Sequence, residues 1–186
     1  MAQDLAEIGI NVDCLPVLDV PAPGGHNVIG DRAYAADAEA VAAFGRSVAE
    51  GMMQGGVLPV MKHVPGHGRA LADSHLELPI VDADRSSLEA IDFAPFKALR
   101  DLPMAMTAHV VYTAIDPAGP ATTSPKVVRD IIRGAIGFDG LLMSDDMSMQ
   151  ALKGSFFDRA AATFAAGVDI ALHCNGKVEE ATGVAE

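Results

Sequence analysis

The sequence predicts an α/β fold built on a parallel sheet with about five βα units, either a barrel of the TIM type or a doubly wound sheet. Two observations lead there. Short apolar runs alternate strictly with amphipathic helical stretches, the pattern of a parallel sheet flanked by helices. In addition, each apolar run is polar at its C-terminal end: Asp19, Lys62-His63, His109, Asp145-Asp146, and His173 with Asn175. In a parallel barrel those ends converge on one mouth, where active sites are built. In a doubly wound sheet they would line one crevice instead.

Each element has its own signal. Met1–Ile8 reads as the end of a helix stopped by Gly9, and Ile10–Leu18 (INVDCLPVL) as the first strand. A Pro/Gly-rich loop, Pro21–Asn27, leads to Gly30-Asp31-Arg32-Ala33-Tyr34. Asp37 can cap a helix with Val41, Phe44, Val48 and Met52 at helical spacing, closed by Gly55 and Gly56. Val57–Met61 is the second strand, and Ser86-Ser87-Leu88-Glu89 is a capping box that opens the next helix. Pro95 falls inside that helix and predicts a kink or restart. Pro103–Val111 is the third strand. Ser124-Pro125 starts an amphipathic helix that Gly137 ends. Gly140–Met143 is the fourth strand, Asp158–Ala166 a helix, and Val168–Leu172 the fifth strand, followed by a weakly patterned last dozen residues.

Bulk properties narrow the function. A chain of 186 residues with half its residues apolar can bury a core of its own, so residues 1–186 are expected to form one domain. The net charge of −12 disfavours nucleic acid and anionic membrane surfaces as partners. No apolar run is long enough to span a bilayer. Met1-Ala2-Gln3-Asp4 lacks the basic start of a secretory leader, and Cys14 and Cys174, in apolar runs, are expected to be free and buried. A reducing cytoplasm fits these features.

The chemistry concentrates between Lys62 and His75 (KHVPGHGRALADSH), where His63, His67 and His75 accompany Lys62, Arg69 and Asp73 among glycines. In an extended loop Asp73 and His75, two residues apart, project to the same side. The carboxylate can then fix the imidazole tautomer and leave the other nitrogen to move protons. Taken alone, the spacing fits a purely structural pairing better. Asp145, delivered by the fourth strand, can serve as covalent nucleophile, metal ligand or structural cap, while Asp146 points away or bonds locally. Lys62 and His63 suit a polyhydroxylated or anionic ligand, or Lys62 pairs with Asp19 or Asp145; Arg32 is a weaker candidate of the same kind. His109 is either a satisfied core histidine or a ligand contact. A metallohydrolase reading uses His63, His67, His75, His109 and Asp145, but the HxH spacing common in such barrels is absent. No P-loop or GxGxxG is present, so no nucleotide is expected.

The segments Lys62–His75, Ala108–Tyr112 (AHVVY) and Gly137–Met149 (GFDGLLMSDDMSM) resemble the family 3 glycoside hydrolases. The resemblance is closest to the bacterial β-N-acetylhexosaminidases of cell-wall recycling, and weaker similarity includes Pro16–Val20 and Gly30–Tyr34. It implies a retaining exo-β-N-acetylglucosaminidase that removes terminal N-acetylglucosamine from muropeptides of the GlcNAc-anhydro-MurNAc type. Under it Asp145 is the nucleophile, His75 the acid/base and Asp73 its partner. Arg32, Lys62 and His63 hold the sugar, and no metal or cofactor is expected. His67 with Gly66–Gly68 shapes the loop. The family's barrel has eight strands and about 250 residues, so this chain is expected to be an incomplete barrel, truncated at both ends and lacking the acidic DxEGGR-like motif. Its exposed sheet edges would invite self-association. Metal-dependent barrel hydrolase and inactive sugar-binding fragment are the competing expectations.

Overall fold

The computed structural model describes residues 1–25 and 28–186. The last two residues of the expected Pro21–Asn27 loop, His26 and Asn27, therefore lie outside the described residues. Its centre is a four-stranded, wholly parallel sheet in the order β1 (Val12–Asp13), β2 (Leu58–Val64), β4 (Met104–Thr107), β6 (Leu141–Met143). A second parallel pair joins β3 (Ile80–Val81) to β5 (Val111–Tyr112). The chain thus has a parallel, barrel-type α/β fold that is open rather than closed.

The two outer expected strands are reduced. Within Ile10–Leu18 only Val12–Asp13 pairs regularly, because Leu15 turns locally onto the Asp13 carbonyl and Pro16 has no N–H for the ladder. Pairing resumes where Lys62 donates to Pro16 and Leu18 to Lys62. Val168–Leu172 contributes a single bridge, Met143 to Ile170. There side chains replace ladder bonds: Asp169 accepts the Leu142 N–H and Ser144 accepts the Leu172 N–H.

The sheet separates two apolar layers by strand alternation. Met61, Ala105 and Leu142 face the large core with the helices, while Val60, Met106 and Met143 cluster on the opposite face with Val12, Cys14, Met104 and Leu172. The helix α1 (Ala2–Glu7) is short, and α2 (Ala38–Gln54) is capped by Asp37 as expected. Its buried stripe is Val41, Gly45, Ala49 and Met52, leaving Phe44 55% exposed. Gly45 explains the rotation: a Cβ there would sit 2.3 Å from Leu18 Cδ2, so the smallest residue marks the closest approach to the sheet.

The Ser86 capping box does not form. Asp84 is the cap of α3 (Arg85–Ser87), accepting the Ser87 N–H, and Glu89 pairs instead with Arg85. The helix then widens into a π turn at Leu88–Asp92 and restarts as α4 (Ala94–Ala98) with Pro95 in its first turn. Val127–Ile136 is also π-wound, and Gly137 ends it in the left-handed region (φ 79°), as expected. The helix α5 (Phe156–Ala165) opens two residues earlier than expected, on a capping box of Ser155 and Asp158, and α6 (Val178–Ala185) occupies the weakly patterned tail. Among the described residues no helix is long and apolar enough to cross a membrane.

Candidate active site

The end of β2 is organised by a carboxylate from the neighbouring segment. Asp19 is fully buried. Its Oδ2 lies 2.7 Å from His63 Nδ1, and its Oδ1 accepts the N–H groups of His63 (3.3 Å) and His67 (2.6 Å). Burial alone would raise this carboxyl, but the His63 ring and the His67 N–H outweigh it and hold Asp19 below the usual carboxylate range. His63 is the extra residue of a bulge, since Lys62 pairs with Met106 and Val64 with the next residue, Thr107. Its Nε2 points toward Asp145, 3.9 Å from Oδ2. The expected choice between Asp19 and Asp145 as a partner for Lys62 is resolved differently, because His63 stands between the two acids.

Asp145 follows β6 and accepts the Asp146 N–H at 2.8 Å. Asp146 bonds locally, as expected: it accepts the Ser148 hydroxyl and N–H and the Cys174 N–H. Burial pushes the Asp146 carboxyl up, but these donors dominate and keep it low. Behind this turn His109 is a core histidine. It is wholly buried, with Nε2 3.1 Å from the Asp146 carbonyl and Nδ1 2.7 Å from Thr122 Oγ1. The carbonyl can only accept, so Nε2 carries the proton and Nδ1 accepts from Thr122. His109 thereby braces the backbone that presents Asp145. His173, whose side chain is 5% exposed, lies 3.7 Å from both Asp146 and Glu180.

Asp73 and His75 are paired, but through a turn rather than an extended loop. Asp73 Oδ1 meets His75 Nδ1 at 2.7 Å and accepts the His75 N–H at 2.9 Å, while the Asp73 carbonyl accepts from Leu76 and Glu77. The His75 side chain is 62% exposed, and its second nitrogen is left for other work.

All the candidate side chains except Asp73 line one cavity of 240 Å³: Arg32, Lys62, His63, His75 and Asp145, with Cys14 and Cys174 on its wall. Arg32 is oriented by the Val28 and Ile29 carbonyls. The two cysteines are free, as expected, but they are half-buried and exposed respectively rather than buried, because they lie on the open inner face of the sheet. The contribution sequence reasoning missed is Asp19. Its position at a strand end was visible, but its partner His63 lies 44 residues away and no local pattern signals the pair. Among the described residues, no group of three His, Cys, Asp or Glu side chains is arranged to hold a metal ion.

The glycosyl hydrolase family 3 N-terminal domain profile matches residues 1–186. The chain belongs to glycosyl hydrolase family 3. A β-hexosaminidase of Alkalilimnicola ehrlichii is 44% identical over 179 residues, covering 94% of this chain and 51% of that protein. Among solved structures, a family 3 β-N-acetylglucosaminidase from Paenibacillus sp. FPU-7 superposes with a TM-score of 0.92 at 34% identity, covering 98% of this chain and 35% of that one. NagZ from Neisseria gonorrhoeae, in complex with N-trifluoroacetyl-D-glucosamine, gives 0.85 at 40% identity, covering 94% of this chain and 50% of that one. This family 3 chain spans about half the length of the curated relatives it matches.

Proposed function

We propose that residues 1–186 belong to the catalytic barrel of a retaining exo-β-N-acetylglucosaminidase. The observation that carries this reading is the shared cavity, where Asp145 and the Asp73-supported His75 face Arg32, Lys62 and His63. Relatives named β-hexosaminidase and a neighbour solved with an N-acylglucosamine support the sugar class. The proposed substrate is a muropeptide of the GlcNAc-anhydro-MurNAc type, met in the cytoplasm.

Retaining glycosidases normally use two carboxylates. Here an imidazole backed by Asp73 takes the place of the second. Asp145 attacks the anomeric carbon and forms a glycosyl ester, while protonated His75 donates its proton to the departing glycosidic oxygen. Neutral His75 then takes a proton from water, whose oxygen attacks the same carbon and frees Asp145. Arg32, Lys62 and His63 hold the sugar hydroxyls, and Asp73 keeps the Nδ1 proton of His75 engaged so that Nε2 does the transfer.

A 5-fluoro analogue of an aryl N-acetylglucosaminide, incubated with the full chain and mapped by peptide mass spectrometry, tests the reading. The label is expected on Asp145; a label elsewhere, or turnover that exhaustive chelation abolishes, rejects it.

A further inference from the structure

The turn that carries His75 is tied down at the residue between the catalytic pair. Ser74 is only 3% exposed although the His75 side chain beside it is open to solvent. The Ser74 hydroxyl lies 3.1 Å from Nε2 of His67, itself 3% exposed. His67 in turn is fixed from behind, its backbone N–H donating to the buried Asp19 at 2.6 Å. Its Nδ1 is buried and has no hydrogen-bond partner among the described residues.

That orphan atom sets the direction of the bond. Burial holds His67 below the usual histidine range, so the ring is neutral with one proton. A proton on Nδ1 would leave a buried donor unpaired. A proton on Nε2 leaves only an unfilled acceptor, the less costly defect. Nε2–H therefore donates to Ser74 Oγ.

We propose that His67 and Ser74 are positioning residues, a latch that seats the Asp73–His75 pair over the cavity containing Asp145. The proposal rests on the reading of His75 as acid/base. Backbone ties accompany the latch: Ala70 donates to His67, Gln150 donates to the His75 carbonyl at 3.4 Å, and beyond the turn β3 is held by β5. Among the described residues, the His67–Ser74 bond anchors by side chain the residue next to the proton-transferring ring.

The test compares Ser74→Ala, His67→Leu, His67→Gln and His75→Ala in the full chain, on N-acetylglucosaminides with good (2,4-dinitrophenol) and poor (methanol) leaving groups. A seated acid matters most for the poor leaving group. Ser74→Ala and His67→Leu are expected to lower kcat/KM on it roughly tenfold, with little change on the dinitrophenyl substrate. His67→Gln, whose amide N–H replaces Nε2–H, is expected to recover most of the rate. Wild-type rates, or equal losses on both substrates, would overturn the latch. If His75→Ala itself shows no leaving-group dependence, the acid/base reading is what fails. Hydrogen exchange of amides 71–77 then decides the latch alone: faster exchange in Ser74→Ala supports it, and unchanged exchange overturns it.

Discussion

Asp19 and His63 form a buried carboxylate–imidazole pair, 2.7 Å apart, at the base of the candidate site. The pair links the segment after β1 to the last residues of β2, so one interaction both closes the sheet's outer seam and orients a ring toward Asp145.

Asp19→Asn is expected to destabilise the fold and weaken sugar binding, since an amide cannot accept all three donors as an anion does. Leaving a buried donor without its acceptor costs about 1–3 kcal/mol. The sign with pH follows from the depressed carboxyl. The unfolded chain binds the proton more readily than the folded one, so the Asp19 contribution is complete above about pH 4 and is lost as pH falls through the folded value. Urea unfolding of wild type and variant between neutral and acid pH would show the two stabilities converging.

Asp145→Asn tests chemistry with little structural disturbance. The amide oxygen can still accept the Asp146 N–H, so unfolding free energy should change by less than about 1 kcal/mol. Turnover should fall by at least roughly a thousandfold, because a carboxamide cannot form the glycosyl ester. Steady-state kinetics beside a thermal melt separates the outcomes, and near-normal activity in protein shown by mass to be free of deamidation would reject the nucleophile.

Gly68→Ala should disturb the loop through its bed. A Cβ at Gly68 would lie 1.9 Å from the Val20 carbonyl oxygen, and the Gly68 carbonyl accepts the Ala22 N–H. Backbone atoms cannot rotate away as a side chain can, so the two segments must separate. A loss of about 1–3 kcal/mol or more is expected, measured by denaturant unfolding, with faster proteolysis of the loop.

Two buried histidines give the fold an acid sensitivity in a higher pH window. Burial holds both His67 and His109 below their usual value. The unfolded chain takes up these protons near pH 6.5 and the folded chain does not, so stability should drop as pH falls from about 7 toward 5. His109→Phe should flatten that slope. It should also cost about 1 kcal/mol by removing the ring's two hydrogen bonds, since the Asp146 carbonyl keeps the Met149 N–H and the Thr122 hydroxyl keeps Thr107 and Ala108. Unfolding curves at several pH values read both effects.

Local patterns were sufficient for much of the fold. Asp37, Gly55 and Gly137 mark helix ends by chemistry that acts within a few residues, and those ends stand where expected. The exceptions are instructive. Ser86 has the right capping pattern, but Asp84 offers a charged acceptor two residues earlier and takes the cap. The strand Val168–Leu172 has the right apolar run, yet Asp169 and Ser144 take up N–H groups of the ladder and leave one bridge. The strand expected over Pro103–Val111 divides: Met104–Thr107 stays in the main sheet, while Val111 and Tyr112 pair with β3, whose two residues carry no periodicity to signal it.

From its own sequence this chain determines the alternation of apolar strands and amphipathic helices, the polar strand ends, and the nearness of Asp73 to His75, all properties of residues close along the chain. Only the tertiary structure decides which strand ends meet. It places His63 between Asp19 and Asp145, sets His109 as a brace rather than a ligand contact, and joins His67 to Ser74. These are contacts of buried polar groups, and burial is what makes them valuable: away from water a polar group left alone is costly, so most take a partner wherever the packed sheet delivers one.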